Sequence, residues 1–257
     1  MAEVLAMTIS SLLHSLGADM PEADVAAWAL ENDADTRGLE LVRSLLDEAR
    51  RERNERLAGT LRTKSRIPQD SPKTFDNFSM ERLSEEDRRR LLSLRSLSFI
   101  PAGRGIVIVG GEWTGKTHLV QAIGNECCDH GYRTLYLTAA ELKTKVRKAA
   151  AKGTADRLLN TLSNYTCLII DALDKEVFDP LQSHFFYSLV DRRVTSCRPG
   201  SIVLASTRDL NMLADRFEDK SLYASTMDRV LSFFTCIVLQ GRRYSGMKTD
   251  IVPLKLI

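Results

Sequence analysis

One eight-residue segment constrains the fold of this chain more than any other part of it. The segment, Gly110-Gly111-Glu112-Trp113-Thr114-Gly115-Lys116-Thr117, follows the apolar run 105–109 and precedes an amphipathic stretch that begins at His118. A strand, a glycine-bounded loop and a helix in this order can bind a polyphosphate. Backbone N–H groups at the helix N-terminus point at the phosphates, and the helix dipole favours negative charge there. The G-x-x-x-x-G-K-T spacing and both flanking segments therefore predict an ATP-binding loop rather than a chance glycine-rich turn.

The residue types in this loop predict separate contacts with ATP. Lys116 is expected to reach the terminal phosphates, and the hydroxyl of Thr117 is expected to bind Mg²⁺. Glu112 and Trp113 replace the small residues that are more common in such loops, and Trp113 is expected to pack over the loop or against a partner. The predicted nucleotide-binding residues are Gly110, Gly111, Glu112, Trp113, Thr114, Gly115, Lys116, Thr117 and His118.

A second apolar strand, residues 166–171, supplies the other half of an ATP site because it ends in a carboxylate, Asp171. Open α/β sheets bind ligands at the carboxyl ends of their strands. At that edge Asp171 is expected to hold Mg²⁺ through water or together with Thr117. The predicted metal ligands are therefore Thr117 and Asp171.

The rest of the second half of the chain alternates between strand and helix patterns. Apolar or β-branched runs at 105–109, 132–137, 166–171, 201–206 and 236–239 predict five strands. Asp179 has the character of a helix N-cap, and Pro180 that of the first residue of a helix that runs to about residue 195. This alternation predicts an α/β fold with a parallel, doubly wound sheet flanked by helices.

The first part of the chain has a different character. Residues 1–66 show helical periodicity without a strand signal, and Pro21 is expected at the first position of the second of three helices. Residues 67–80 form a Pro/Ser/Asp-rich linker that carries Phe75 and Phe78, either as core anchors or as aromatic contacts near an adenine ring. We therefore expect an all-α N-terminal domain over 1–66 that docks a partner or DNA, a linker over 67–80, and an ATP-binding domain over 81–257.

Composition excludes several classes of protein. The five cysteines show no C-x-x-C spacing, and the four histidines form no metal-binding pair, so a metal site built from side chains alone is not expected. No stretch approaches 18 apolar residues and no signal-peptide core begins the chain, which predicts a cytoplasmic protein without a membrane partner. The net charge of +2 says little by itself, because the charges are unevenly distributed.

Two segments concentrate positive charge. Residues 50–66 carry seven basic and two acidic residues, which fits either a solvated helix with ion pairs such as Glu52–Arg56 or an arm that binds nucleic acid. A predicted helix after Glu141 carries five cations and no acid before Gly153, which favours contact with a DNA backbone. The predicted DNA-binding residues are Lys143, Lys145, Arg147, Lys148 and Lys152.

Four segments of the chain form a recognisable set. They are Gly115-Lys116-Thr117-His118-Leu119, Thr138-Ala139-Ala140-Glu141-Leu142, Leu168-Ile169-Ile170-Asp171 and Met227-Asp228-Arg229-Val230-Leu231. Together they resemble the IstB/DnaC family of AAA+ ATPases. This family comprises helper ATPases of insertion-sequence transposition and loaders of replicative helicases. The first segment also resembles DnaA-type initiators, which carry a helical lid and a DNA-binding domain after the fifth strand. Only residues 241–257 remain here, so we expect no C-terminal lid, and IstB is favoured.

The resemblance implies roles for individual residues. Asp171 corresponds to the Walker B carboxylate, Thr207 to the sensor residue after the fourth strand, and Arg229 to an arginine supplied to the phosphates of a neighbouring protomer. The implied catalytic residues are thus Lys116, Asp171, Thr207 and Arg229, and Arg229 implies a homo-oligomer. The basic helix from Lys143 falls where initiator-type relatives carry a DNA-contacting insertion.

Two departures from the family pattern bear on hydrolysis. The family usually has Asp-Glu at the end of the Walker B strand, whereas this chain has Asp171-Ala172. That glutamate acts on the attacking water, and loss of such a group lowers the rate roughly 10²–10⁴-fold. Asp174 and Glu176 lie nearby in sequence but not at the required position, and Thr207 replaces the more common asparagine. We therefore expect ATP binding with weak hydrolysis.

The favoured function is an ATP-dependent DNA-binding helper that oligomerises on duplex DNA and activates a transposase. One alternative is a DnaC-like loader that delivers a replicative helicase to single-stranded DNA. The other is a nucleotide-gated DNA scaffold with little hydrolysis, in which ATP shifts the population between assembled and free states.

Overall fold

The computed structural model describes residues 2–80, 85–196 and 200–239. Its contacts divide the chain into two compact units, and the division falls between Thr60 and Leu61. The predicted boundary lies six residues further along the chain, at residue 66. Within residues 67–80, the predicted linker, Ile67 and Phe75 are buried in a hydrophobic core of the second unit.

The first unit consists of helices, as predicted. These are α1 (Ala2–Leu16), α2 (Glu22–Glu31) and α3 (Thr36–Ser65), the last of which extends past the division between the units. A small core buries Leu5, Ile9, Val25 and Leu39. Pro21 is the N-cap residue of α2 rather than its first residue, because its ψ of 155° is extended.

The second unit is built on a five-stranded parallel sheet, which confirms the predicted fold class. Its strands are β1 (Gly105–Gly110), β2 (Thr134–Thr138), β3 (Cys167–Asp171), β4 (Ser201–Ser206) and β5 (Phe234–Leu239). Their order across the sheet is β2-β3-β4-β1-β5. Because all five run in the same direction, β1, β3 and β4 end at one edge, where Gly110, Asp171 and Ser206 lie.

Helices cover both faces of the sheet. They are α4 (Glu85–Ser93), α5 (Lys116–Asp129), α6 (Ala139–Ala151), α7 (Ala155–Ser163), α8 (Pro180–Thr195), α9 (Leu210–Leu213) and α10 (Lys220–Phe233). Val107 and Val109 of β1 belong to one core and Ile106 and Ile108 to the other, as the alternation of side chains along a strand requires. Residues 240–257, on which the expected absence of a lid depends, lie outside the described residues.

Local signals at the helix ends are satisfied as the sequence predicts. The carboxylate of Asp179 accepts a hydrogen bond from the backbone N–H of Gln182 at 2.8 Å, and Pro180 is the first residue of α8. Thr138 and Glu141 form a reciprocal capping box at the start of α6. Within the described residues, none of the helices combines the length and the apolar character that a membrane crossing requires.

Candidate nucleotide-binding site

The loop between β1 and α5 depends on glycine at two positions. A Cβ on Gly110 would lie 2.3 Å from the carbonyl oxygen of Leu239, which is backbone and cannot move aside. Gly115 has a φ of +92°, a conformation that L side chains rarely adopt. Trp113 also has a positive φ, +65°, and its side chain is 68% exposed, so the expected packing over the loop is not observed.

Lys116 lies inside this loop. Its side chain is buried, and its ammonium donates a 2.5 Å hydrogen bond to the carbonyl oxygen of Gly111. Burial lowers the pKa of Lys116, while the negative charges of Asp174 and Asp171 act in the opposite direction. The cation lies within the loop at the edge of the sheet where β3 ends in Asp171, which is where a polyphosphate would be bound.

Asp171 and Thr117 have the chemistry of a partial Mg²⁺ site. Asp171 is 4% exposed at the end of β3, and Thr117 is exposed in the first turn of α5. Carboxylate and hydroxyl oxygens are ligands that Mg²⁺ accepts, usually together with waters and substrate phosphates. Within the described residues no cluster of three or more His, Cys, Asp or Glu side chains could hold a metal alone. The two residues thus fit Mg²⁺ in the form in which it accompanies ATP.

A tyrosine that the sequence analysis did not select orients this carboxylate. The hydroxyl of Tyr136 on β2 donates a buried 2.8 Å hydrogen bond to Asp171 Oδ2. The backbone N–H of Ala172 donates to Oδ1 at 2.7 Å. In the sequence Tyr136 indicates only a strand, because its contact depends on the register that places Thr138 of β2 opposite Asp171 of β3.

The predicted sensor residue makes an unexpected contact. The backbone N–H of Thr207, just after β4, donates to Asp174 Oδ1 at 2.7 Å, and the Thr207 hydroxyl donates to Oδ2. Burial alone would raise the pKa of Asp174, which is 3% exposed, but the hydrogen bonds from Thr207, a hydrogen bond from the Asp174 backbone and the charge of Lys175 together hold this pKa below its usual value. Asp174 is therefore an ionised carboxylate within the site, and only its nearness to Asp171 in sequence hinted at this.

The predicted trans-acting arginine lies away from the loop. Arg229 lies in the second half of α10, four residues before the end of this helix at Phe233, and its Nε pairs with Asp191 Oδ1 of α8 at 3.0 Å. β5 runs parallel to β1 for six residues. Six residues make five steps of about 3.3 Å, so the two edges of the sheet are about 16–17 Å apart. Since α10 ends where β5 begins, Arg229 lies towards the edge opposite to the loop of its own chain.

The aromatic pair of residues 67–80 divides between the two expected roles. Phe75 is a core residue, 2% exposed. Phe78 is half-buried and contacts the loop, since a Cβ on Gly115 would lie 2.9 Å from its ring. The ring of His118 meets Phe78 edge-on with centroids 5.1 Å apart, and its Nε2 donates to the carbonyl oxygen of Thr74 at 3.0 Å. Burial lowers the pKa of His118, which keeps its ring neutral.

The two basic segments differ in how their charges are compensated. In α3, Arg50, Arg51 and Arg56 pair with acids one turn earlier, Glu52–Arg56 at 3.0 Å among them, and these contacts favour the interpretation as a solvated helix. In α6, Lys143 pairs with Glu176 at 2.9 Å. The remaining α6 cations have no ion pair within the described part of the chain; they are Lys145, Arg147, Lys148 and Lys152.

Three of these cations face α7. Lys145, Lys148 and Lys152 line an open groove of about 340 Å³ together with Arg157. The spacing of three and four residues places the three lysines on one side of α6. The groove therefore concentrates uncompensated positive charge on one surface of the second unit.

Solved structures with a similar fold include those of DnaA and DnaI. DnaA from Aquifex aeolicus bound to AMPPCP superposes with a TM-score of 0.53 at 24% identity, covering 66% of this chain and 50% of that chain. DnaI superposes with a TM-score of 0.54 at 21% identity, covering 64% of this chain and 89% of that chain. These likenesses confirm the predicted P-loop AAA+ fold.

Relatives in sequence come mainly from insertion sequences. The ATP-binding protein of IS5376 from Geobacillus stearothermophilus is 30% identical over 205 residues, 80% of this chain and 80% of that protein. Its IS21 counterpart from Pseudomonas aeruginosa is 27% identical over 172 residues, 67% of this chain and 64% of that protein. The replicative helicase loader DnaC of Escherichia coli is 30% identical over 118 residues, 44% of this chain and 48% of the loader.

One family model spans most of the chain. The model of the IstB-like ATP binding protein matches residues 13–248, a range that includes the loop, Asp171, Thr207 and Arg229. This match confirms the resemblance that the four sequence segments indicate. The chain belongs to the family of IstB-like ATP-binding proteins.

Proposed function

We propose that this protein is an ATP-dependent DNA-binding helper that oligomerises on DNA and activates a transposase. The observation that carries the proposal is the placement of buried Lys116 and Asp171 at one sheet edge beside a glycine-dependent loop. The insertion-sequence origin of two relatives supports transposition as the process in which the protein acts. We propose that the protein acts in the cytoplasm, where ATP and DNA are both available to it.

ATP and Mg²⁺ are the proposed ligands of the site. The loop residues from Gly110 to His118 would hold the phosphates, with Lys116 at the terminal phosphates and with Thr117 and Asp171 at the metal. Phe78, which contacts the loop beside Gly115, is placed to meet the base or sugar of the nucleotide. Bound Mg²⁺ would neutralise phosphate charge, a task for which the site offers only one cation inside the loop, Lys116.

DNA is the proposed partner of the α6 surface. Lys145, Lys148 and Lys152 present charge that no acid compensates within the described residues, whereas the arginines of α3 are largely paired. A phosphate backbone attracts such cations without regard to sequence, because their binding releases condensed counterions. We favour duplex DNA as the ligand of this surface.

A salt titration tests the DNA contact. Replacement of Lys145, Lys148 and Lys152 by alanine should weaken duplex binding and reduce the slope of log K against log[salt] by about 2–3, since each phosphate contact contributes about 0.9. The control is the triple alanine variant of Arg50, Arg51 and Arg56, whose charges are paired on α3. An equal loss in both variants, or in neither, would contradict the assignment of the DNA surface to α6.

The partner protein needs its own test, because relatives include both transposition proteins and helicase loaders. We expect the ATP-bound protein on DNA to stimulate strand transfer by a transposase of an IS21-type element. Delivery of a replicative hexameric helicase to single-stranded DNA, with no effect on the transposase, would instead establish the loader function.

A nucleotide-gated scaffold is the second candidate, and Ala172 is the observation that favours it. Such a protein would assemble with ATP and release DNA only after nucleotide exchange. Phosphate release measured in a single turnover with DNA present separates the two functions. A rate equal to that of buffer supports the scaffold, and a faster rate supports the ATPase.

A further inference from the structure

The backbone after Ala172, the position at which the family pattern has a glutamate, forms a turn that the sequence does not indicate. Ala172 has a φ of +56° and begins a tight turn over Leu173–Lys175. This turn directs Asp174 back into the sheet edge, where it is 3% exposed. A buried carboxylate thus lies two residues after the position at which relatives carry their water-activating glutamate.

Asp174 determines whether the hydroxyl of Thr207 can donate or only accept further hydrogen bonds. Both carboxylate oxygens accept hydrogen bonds from Thr207, one from its backbone N–H at 2.7 Å and one from its hydroxyl. A threonine hydroxyl has one proton to donate and two lone pairs that accept. Because Asp174 takes the proton, Thr207 Oγ1 can offer only lone pairs to the rest of the site. It can accept a hydrogen bond from water but cannot donate one to a phosphate.

Asp174 and Thr207 also lie at the edge of the sheet that carries the phosphate-binding loop. β4, which leads to Thr207, runs between β3 with Asp171 and β1 with the phosphate-binding loop. Because β1, β3 and β4 all end at the same edge of the sheet, Asp174 and Thr207 lie at the edge that carries the loop and Lys116. The negative charge of Asp174 also opposes the lowering of the Lys116 pKa by burial.

We infer that Asp174, through Thr207, orients the water that attacks the γ-phosphate of ATP, in place of the carboxylate missing at Ala172. This role rests on the proposed ATPase. Thr207 would touch the water and act as a catalytic residue, and Asp174 would be its positioning residue. The transition state of phosphoryl transfer is loose, so orientation of the water contributes more than strong basicity.

The step balances without another reactant. The water oxygen bonds to the γ-phosphorus as the bond from that phosphorus to the bridging oxygen breaks, and ADP leaves with the bonding electrons. The water proton passes to Thr207 Oγ1 as this hydroxyl transfers its own proton to Asp174. Asp174 returns its proton to solvent after phosphate is released.

Three variants test the two residues by steady-state hydrolysis with duplex DNA present. Asp174→Asn should lower kcat about 10-fold to 100-fold while the affinity for a fluorescent ATP analogue changes by less than about twofold. Thr207→Val should have a similar effect, and Thr207→Ser, which keeps the hydroxyl, a smaller one. The control is Glu176→Gln, which removes a carboxylate that pairs with Lys143, and its kcat should stay within about twofold of the parent.

A rescue experiment separates this role from a structural one. If Asp174 substitutes for the missing glutamate, Ala172→Glu should restore turnover to Asp174→Asn, so that the double variant comes within a few-fold of Ala172→Glu alone. If Asp174 only supports the fold, its substitution should lower kcat by the same factor with either residue at position 172. Independent effects of the two substitutions would overturn the inference.

Failure of the inference and failure of the proposed function give different results. A parent protein that binds the ATP analogue but hydrolyses ATP no faster than buffer would overturn the role of Asp174 and leave the nucleotide-binding function intact. No binding of the analogue at all would overturn both. Urea unfolding of each variant establishes that the measured rates come from folded protein.

Discussion

At the scale of single residues, a buried hydrogen bond from Tyr136 orients the carboxylate of Asp171, the proposed Mg²⁺ ligand. Asp171 is 4% exposed and also accepts from the backbone of Ala172, so it lies between two donors. Burial raises the pKa of Tyr136, as does the adjacent Asp171 charge. The hydroxyl therefore keeps its proton, and this hydrogen bond, across the neutral pH range.

Tyr136→Phe tests this contact. Loss of a hydrogen bond to a buried charged group should lower the free energy of unfolding by about 1–3 kcal/mol. It should also shift the Mg²⁺ dependence of ATP binding to higher Mg²⁺ by about 10-fold, because partners of metal ligands influence metal affinity. Urea denaturation and Mg²⁺ titrations measure the two effects. Tyr187→Phe on α8 is the control, and an equal change in both variants would contradict the specific role of Tyr136.

The carboxylate of Asp174 makes stability depend on pH. Its pKa in the folded protein lies below the ordinary 3.8, so the charged form is favoured by folding. The stability that it contributes is present above pH 3.8 and is lost as the pH falls through the folded pKa. We expect the difference in unfolding free energy between the parent and Asp174→Asn to be constant from pH 7 to pH 5 and to narrow towards pH 3. A difference that widens in acid would contradict an ionised Asp174.

At the scale of elements, α8 contains a buried arginine, Arg193, at a position where the sequence predicts an exposed charge. Its start follows the local rules of the sequence, but Arg193 in its last turn is 6% exposed. The guanidinium donates to the carbonyl oxygens of Leu162, Ser163, Thr166 and Ser201. Burial lowers the pKa of Arg193 to about 10, which still leaves it charged at neutral pH. Through these hydrogen bonds, Arg193 connects α8 to the end of α7 and to the starts of β3 and β4.

Arg193→Met tests this connection. The substitution keeps most of the side-chain volume but leaves several carbonyl oxygens without a donor, so the free energy of unfolding should fall by about 3 kcal/mol or more. Its neighbour Arg192 is exposed and contacts Asn160, and Arg192→Met should cost less than about 1 kcal/mol. Similar midpoints for the two variants in urea denaturation would show that the hydrogen bonds of Arg193 do not stabilise the fold as proposed.

In α6, local sequence features and a tertiary contact together determine which cations are free of ion pairs within the described residues. Its cap, its length and its five cations follow from the sequence, whereas the pairing of Lys143 with Glu176 comes from a turn that is distant in the chain. That contact separates Lys143 from Lys145, Lys148 and Lys152 within the predicted DNA-binding set. The charge of the proposed DNA surface is thus defined by tertiary contacts as well as by composition.

At the scale of the whole molecule, the parallel sheet separates the loop from Arg229. The loop with Lys116 follows the end of β1, whereas Arg229 lies in α10, which leads to the start of β5 at the opposite edge of the sheet. An arginine in this place cannot reach the phosphates bound by its own chain, so its proposed role requires a second copy. In the single chain, Arg229 is held by Asp191.

Mixed oligomers test this arrangement. Lys116→Ala should abolish ATP binding, and Arg229→Ala should preserve binding but lower DNA-stimulated hydrolysis by about 10³-fold, the lower end for a trans-acting arginine. Neither variant is expected to be active alone. A mixture should recover activity, because an intact loop from one chain meets an intact arginine from the other. Absence of recovery, when light scattering shows that mixed oligomers form, would contradict the role of Arg229.

Several features of this protein follow from the sequence alone. The phosphate-binding loop, the alternation of five strands with helices, the caps at Thr138 and Asp179, and the family are all encoded in short segments. Turn chemistry, side-chain periodicity and motif spacing involve only neighbouring residues, so they can be read without the fold. The intrahelical ion pair of Glu52 with Arg56 belongs to the same class.

The tertiary structure decided the features that depend on residues far apart in the chain. Thr207 meets Asp174 across 33 positions and Tyr136 meets Asp171 across 35, because strand order and register bring these strand ends together. The burial of Arg193 and the inclusion of residues 67–80 in the second unit have the same origin. The sequence therefore determined that this chain has an ATP-binding loop. Only the arrangement of β3 beside β4 placed Asp174 where a glutamate is missing, since no local pattern specifies which strands become neighbours.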